Sequence, residues 1–112
     1  MKPIPKRLLV HTVILGKLAK DRWGEETVTD EQELSCVRME PSSKIVRDKN
    51  NAEIQLAATL FYDCRNSQPK GVEFVEDEIV TFNGQKHKIQ TVEPLYDEKK
   101  LHHYELGLIR HA

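Results

Sequence analysis

The stretch "IVTFNGQKHKIQTV", residues 79–92, decides the fold prediction. Asn83 and Gly84 at its centre suit a type I′ turn, because both central residues of that turn need positive φ and Asn and Gly tolerate it best. The flanks "IVTF" and "HKIQTV" carry the β-branched and aromatic residues that fit a pleated sheet. The sequence therefore predicts a two-stranded antiparallel hairpin here.

Short strands separated by polar turns are predicted along the rest of the chain. The strands lie in "RLLVHTVIL", residues 34–39 and "HHYELGLIRH", and "VEFVEDEIVTF" leads into the hairpin with a bend at the acidic "EDE". "IQLAATLFYD" fits a strand or a helix by its spacing, and the β-rich "TLFYD" favours a strand. "GKLAKDRWGEE" is predicted to be a loop, and Pro94 to end the second hairpin strand. Five to six strands predict a small antiparallel β-barrel or sandwich, in a single domain over residues 1–112.

Composition limits what such a domain does. The chain has 112 residues, with 17 basic and 18 acidic side chains, a net charge of -1 and a mean hydropathy of -0.58. This length fits one modest core rather than an elaborate active-site cleft. Proteins that grip phosphate backbones are usually clearly basic, so the balanced charge counts against that task.

The apolar run "LLVHTVIL" near the N-terminus is similar to the central region of a signal peptide. His11 and Thr12 interrupt the run, however, and no small-residue cleavage site follows it. The run is also far shorter than a membrane span. We therefore expect an intracellular protein with an ordinary first strand.

Side chains with reactive or metal-binding groups are few and scattered. Cys36 and Cys64 are expected to be free, buried thiols, since nothing suggests a secreted, disulfide-stapled domain. His102 and His103 are strand neighbours, expected to point to opposite faces, which disfavours a shared metal ion. The acidic run "EDE" at 76–78 lacks the spacing of a calcium loop. The sequence thus predicts no catalytic site, no metal site and no cofactor.

A polar stretch, "SSKIVRDKNNAE" at residues 42–53, is predicted to be a long loop because its β-propensity is low. Loops of about 12 or more residues in compact domains are commonly functional or disordered. The candidate functional residues in this stretch are Lys44, Ile45, Val46, Arg47, Asp48 and Lys49.

Four stretches, taken in order, resemble a known family. "PIPKRLLVHTVIL", the Gly in "DRWGEE", the hairpin "FNGQKHKIQTV" and the ending "LHHYELGLI" together resemble the minor capsid or head-tail connector proteins of tailed bacteriophages. More distantly, the order of an "H-x-V" strand, a long loop, an Asn-Gly hairpin and a terminal strand is similar to head-completion adaptor and stopper proteins. The resemblance covers residues 3–109, and His87 stands where the adaptor pattern usually has an aromatic residue.

The resemblance implies a structural virion protein, assembled in the bacterial host cytoplasm, that forms a homo-oligomeric ring at the head-tail (portal-neck) junction. Such a ring extends or closes the DNA channel, and its partners are the portal or adaptor ring and the tail proteins, with DNA close by and no membrane. The long loop is then the candidate channel element. Trp23 and Tyr96 are the candidate docking residues, and the alternative for Trp23 is that it folds back onto its own core.

A nucleic-acid-binding barrel of the OB type is the competing hypothesis. Basic residues cluster in "KIVRDK" and "GQKHK", and such barrels bind nucleic acid on a basic face with aromatic side chains. Aromatic residues make up only 6% of the chain, and only Phe82 and Tyr62 are candidates for that face. Both residue types are more often part of a core.

Overall fold

The computed structural model of the protein describes residues 2–111 and consists mainly of antiparallel strands. Among residues 2–111, no helix has the length and apolar character that a membrane crossing requires. In chain order, the elements are a 3₁₀ turn (Lys6–Leu8) and the strands β1 (His11–Lys20), β2 (Glu26–Pro41), β3 (Ile45–Arg47), β4 (Glu53–Gln55), β5 (Ala58–Asp63), β6 (Ile79–Phe82), β7 (Gln85–Tyr96) and β8 (Leu101–Arg110).

Six of the strands form one antiparallel sheet in the order β1-β2-β5-β8-β7-β6. β6 returns to β1 through three residue pairs, from Ile14 with Thr81 to Gly16 with Ile79, so the sheet meets itself along a short seam only. The body is flattened and sandwich-like, with principal extents of 47 × 30 × 24 Å. β3 and β4 form a separate two-stranded sheet. The predicted fold class, a mainly β protein with a small antiparallel sheet, is confirmed.

Alternating apolar side chains of the six strands fill the space inside the folded sheet. The segment between β5 and β6 closes one end of this core, where the Phe74 ring lies edge-on to Tyr62 and Tyr104, with centroids 5.2 and 5.1 Å away. Burial of apolar surface is the main favourable contribution to folding, so this cluster holds the sheet together. Its largest fully buried aliphatic members are Leu15, Leu34, Leu60, Ile79, Ile89, Leu106 and Leu108.

The first two strands extend beyond the sheet as a two-stranded ribbon, residues 17–29 (the β1–β2 ribbon). The loop predicted for "GKLAKDRWGEE" is therefore wrong, because β1 and β2 pair with each other as far as Lys20 and Glu26. Main-chain bonds form this ribbon and few of its side chains are buried, so no apolar periodicity marks it. At Gly16, where the ribbon leaves the sheet, a Cβ would collide with the Val28 side chain.

Two strand ends also differ from the prediction. Residues Lys6–Leu8 form a 3₁₀ turn, and β1 begins only at His11. β7 continues through Pro94, which was predicted to end it. β6 pairs with β7 only as far as Lys88, so at Pro94 one side of β7 has no neighbouring strand. Proline has no N–H group, and it is tolerated where no partner strand needs that donor.

The long loop predicted for residues 42–53 is wrong in its conformation, because this stretch contains β3, a turn and the first residue of β4. Val46 pairs with Ile54, and both are β-branched residues that favour a strand. Strands of three residues are too short to show a periodic pattern, so the polar composition concealed them.

Candidate functional site

A hairpin arm, residues 45–55, carries β3 and β4 and projects from the main sheet by its own two-stranded pairing. The Asp48 side chain builds its turn, since Oδ1 accepts the N–H groups of Asn50 at 2.8 Å and Ala52 at 3.0 Å. Asn51 adopts a φ of 62°, which Asn tolerates better than most residues. The sequence Asp-Lys-Asn-Asn therefore encodes a defined turn.

The base of the arm is fixed to the sheet by main-chain bonds and one buried side chain. Leu56 N donates to Lys44 O, and Ala57 N donates to Leu108 O, both at 2.8 Å. The Leu56 side chain is buried and lies over Gly107 of β8. The arm is thus anchored where it leaves β5.

Beyond its base, the arm presents an apolar and partly basic surface to solvent. Ile45 is 58% exposed, and Lys49 is exposed at the turn. Arg47 pairs with Glu53 across the two strands at 3.3 Å, a surface ion pair that contributes little to stability. Lys44 lies 3.7 Å from Glu93 of β7. The six residues predicted for a channel element therefore lie together, in the arm and at its base.

Trp23 lies at the tip of the β1–β2 ribbon and is 78% exposed. Asp21 Oδ1 accepts the N–H groups of Trp23 at 2.8 Å and of Glu25 at 2.9 Å, and Gly24 supplies a φ of 82°. The Arg22 guanidinium lies 5.2 Å from the centre of the Trp23 ring. The alternative that Trp23 folds back onto its own core is wrong.

Tyr96, the second docking candidate, ends β7 and is 66% exposed. The turn that follows is built by Asp97, whose Oδ1 accepts the N–H groups of Lys99 and Lys100 at 2.9 and 3.0 Å. These two donors lower the pKa of the Asp97 carboxyl. Tyr96 and Trp23 therefore belong to the ends of two different hairpins, each with an Asp-capped turn.

An open groove of about 310 Å³ (the N-terminal groove) lies between the N-terminal segment and the outer face of the sheet. The segment is held by Ile4, whose N–H donates to Asp63 Oδ2 at 2.8 Å and whose carbonyl accepts Asn66 Nδ2 at 2.7 Å. Further along, Arg38 Nη1 donates to Leu8 O at 3.1 Å. The groove is lined by Ile4, Leu8, Arg38, Glu40, Phe61 and His103.

Sequence reasoning missed this groove, because it depends on contacts between the first residues and strands that lie far along the chain. Asp63 is fully buried, yet it is a charged residue at a strand end. A buried carboxylate needs hydrogen-bond donors, and the turn "CRNS" directly after Asp63 can supply main-chain N–H groups. This position was the signal in the sequence for a buried, hydrogen-bonded Asp63. The sequence around Asp63 could not predict that a further donor comes from Ile4.

His102 and His103 were expected to point to opposite faces, and this expectation is wrong. Their Nδ1 atoms lie 2.7 Å apart, next to a register shift in the pairing of β7 with β8. His102 Nε2 bonds to Lys2 O at 2.6 Å, and His103 Nε2 lies 2.9 Å from Glu105 Oε2. Among residues 2–111, no group of three or more His, Cys, Asp or Glu side chains is arranged to hold a metal ion.

Cys36 and Cys64 are both free, and both are half-buried rather than fully buried. Burial raises the pKa of the Cys64 thiol, and the neighbouring Asp63 carboxylate raises it further. The thiolate is the nucleophilic form of cysteine, so these surroundings make Cys64 a poor nucleophile.

The two aromatic residues considered for nucleic-acid stacking do not form an exposed platform. Phe82 is half-buried and lies edge-on to the His11 ring, with centroids 5.0 Å apart. Tyr62 is buried against Phe74. Bases stack on exposed aromatic faces, so neither residue supports the OB-type hypothesis.

Comparison with known families assigns the chain to one of them. A family model described as minor capsid protein matches residues 5–108, which is most of the chain. The chain belongs to the minor capsid protein family. No curated protein sequence matches it. As a minor capsid protein it has a structural role in a phage particle, and membership of a capsid family indicates a non-enzymatic role.

Proposed function

We propose that this minor capsid protein forms a ring at the head-tail junction of a tailed phage, where it extends or closes the DNA channel. The observation that carries the proposal is the hairpin arm, residues 45–55, which is fixed at its base and exposed beyond it. A ring turns one arm per subunit into a circle of arms around an axis. The portal or adaptor ring and the tail proteins are the proposed partners.

The arm suits a channel element because of its two kinds of side chain. Ile45 is exposed, and in a ring it would pack against the arms of neighbouring subunits. Arg47 and Lys49 lie at or beside the turn and would face the DNA phosphates. The net charge of -1 for the whole chain favours passage of DNA rather than tight binding.

The structure suggests a clean deletion that tests the channel role. Lys44 and Leu56 are bonded at the base of the arm, so replacing residues 45–55 by Asn-Gly should close a tight turn there. Because Leu56 keeps its place on Gly107, we expect stability within about 1 kcal/mol of the parent protein. Phage particles carrying this variant should assemble but lose DNA, as measured by the ratio of filled to empty heads.

Two controls make the result decisive. Exchanging Lys86 for Ala removes one exposed basic side chain of β7, outside the arm, and should leave DNA retention nearly unchanged. Antibody labelling of particles in the electron microscope should place the protein at the neck. Fully retained genomes and normal infectivity in the deletion variant would end the channel role, and label elsewhere on the capsid would end the junction role.

A further inference from the structure

Trp23 is a large side chain held in solvent by a rigid turn. The residue is 78% exposed, while the Asp21 carboxylate accepts the N–H groups of Trp23 and Glu25 and so fixes the main chain of the turn. Exposed Trp side chains on an ordered turn are favourable anchors for protein contacts, because little main-chain freedom remains to be lost on binding. The tip of the β1–β2 ribbon therefore has the character of an insertion element.

The N-terminal groove is an open receptor of matching size. Its volume of about 310 Å³ is at the lower end for binding pockets, which suits one aromatic side chain. Ile4, Leu8 and Phe61 give it apolar walls, and Leu8 is 40% exposed. The bonds of Ile4 to Asp63 and Asn66 hold the N-terminal wall in place, so the groove is formed before anything enters it.

The charges beside these two elements are complementary. Residues 25–33, which run from the ribbon turn into β2, contain Glu25, Glu26, Asp30, Glu31 and Glu33 and no basic residue. The basic residues of the ribbon, Lys17, Lys20 and Arg22, all precede Trp23, so the acidic side of the ribbon is the strand that follows the turn. Residues 2–8, which form the groove wall, contain Lys2, Lys6 and Arg7 and no acidic residue. All eight side chains belong to exposed residues. One chain thus carries both halves of an electrostatically matched contact.

We propose that Trp23 of one subunit inserts into the N-terminal groove of a second copy of this chain, with residues 25–33 facing Lys6 and Arg7 of that copy. Such a contact joins two different surfaces, so it repeats from copy to copy and closes into a ring when the rotation allows. This inference rests on the ring proposed above and names the contact that builds it.

Complementary variants of the full chain test the contact. Trp23→Ala removes the anchor, and Leu8→Glu places a charge in the groove. Both residues are exposed enough to be replaced without unfolding, which thermal melts would check. We expect each variant alone to lose at least about tenfold in self-association. An equimolar mixture should form a one-to-one heterodimer, because one intact ribbon and one intact groove remain.

Sedimentation velocity and native mass spectrometry of the purified protein provide the readout. Val75→Glu changes a similarly exposed apolar residue outside the contact and should leave self-association unchanged. Reversing Lys6 and Arg7 to Glu should weaken association, and reversing Glu25 and Asp30 to Lys in the partner should restore it.

Three results would overturn the contact. They are a parent protein that does not associate below about 1 mM, single variants that associate like the parent, and a mixture that gives no heterodimer. Failure of the junction role is separate, because it is read from antibody labelling of particles, whereas the contact is read from isolated protein. If the mixture forms a heterodimer but the antibody label is absent from the neck, the contact between subunits is supported and the junction role is wrong.

Discussion

Leu56 occupies the space that a side chain at position 107 would need. A Cβ built on Gly107 would lie 2.9 Å from Leu56 Cδ1, and it would also collide with Thr91 Oγ1. Leu56 directly follows β4, and Gly107 is buried in β8. Because Gly107 has no side chain, Leu56 can pack against β8 and hold the base of the hairpin arm on the sheet.

Gly107→Ala should destabilise the protein by about 1–3 kcal/mol, because the added methyl group forces a shift in a packed site. Chemical denaturation measures this cost. Amide exchange at Leu56 and Ala57, whose N–H groups bond the arm base, should accelerate more than exchange elsewhere in the sheet. In a Thr91→Ala background, which removes the closest contact, the same substitution should cost less. Strictly additive costs would show that Thr91 does not limit the space.

The Asn83–Gly84 turn gives a second test, since both residues have positive φ, 50° and 76°. Gly84→Val should destabilise the hairpin by about 1 kcal/mol or more, because a β-branched residue resists this conformation. Among residues 2–111, no heavy atom beyond Gly84 and its two chain neighbours lies within 4 Å of a Cβ built at Gly84, so the cost is conformational rather than steric. Gln85→Val, at an exposed strand position, is the matched control and should change stability by less than about 0.5 kcal/mol. Equal effects of the two substitutions would contradict the explanation.

Local chemistry made part of the fold predictable. The turn at Asn83 and Gly84 depends on two residue types, and the alternation in Ala58–Asp63 follows from one buried face. Both signals lie within a few residues of sequence. The mainly β class followed from several such signals in a row.

The parts that could not be predicted depend on neighbours distant in sequence. The β1–β2 ribbon is formed by two polar strands that pair with each other, and it has no buried apolar face that would give a periodic pattern in the sequence. The hairpin arm packs against the sheet because Gly107 has no side chain, and Gly107 lies far from the arm in sequence. Pro94 is tolerated because β6 ends before it, which is a property of the sheet order. The N-terminal groove likewise needs Ile4 to meet Asp63.

Asp63 links the N-terminal segment to the end of β5, and its loss should release the groove wall. Its two oxygens accept the N–H groups of Ile4, Arg65 and Asn66 at 2.8–2.9 Å, and its side chain is fully buried. Asp63→Ala leaves these donors unsatisfied and should cost about 2–3 kcal/mol or more. Asp63→Asn keeps one acceptor oxygen and should cost less. Equal costs would show that packing, rather than hydrogen bonding, fixes this position.

The buried His87 imidazole should make the protein less stable in mild acid. Burial lowers the pKa of His87, and its Nδ1 has no hydrogen-bond partner among residues 2–111. The unfolded chain therefore binds a proton more readily than the folded one. Stability should be complete above the unfolded-state pKa of about 6.5 and should fall as the pH drops through the lower folded-state pKa. Each unit by which folding lowers the pKa of His87 corresponds to about 1.4 kcal/mol of stability that is lost in acid.

His87→Phe should remove this acid dependence, because an aromatic ring of similar shape carries no charge. An open pocket of about 230 Å³ lies beside His87, bounded also by Met39 and Phe82, so the larger ring has adjacent space to shift into. Denaturation at pH 7.5 and pH 5 measures the free energy of unfolding. We expect the variant to lose less of it than the parent protein between these two pH values. His111→Gln is the control, since His111 faces an acidic partner, Glu26, at 2.8 Å instead of an apolar wall. A His87→Phe protein that loses stability as steeply as the parent would assign the acid dependence to other groups.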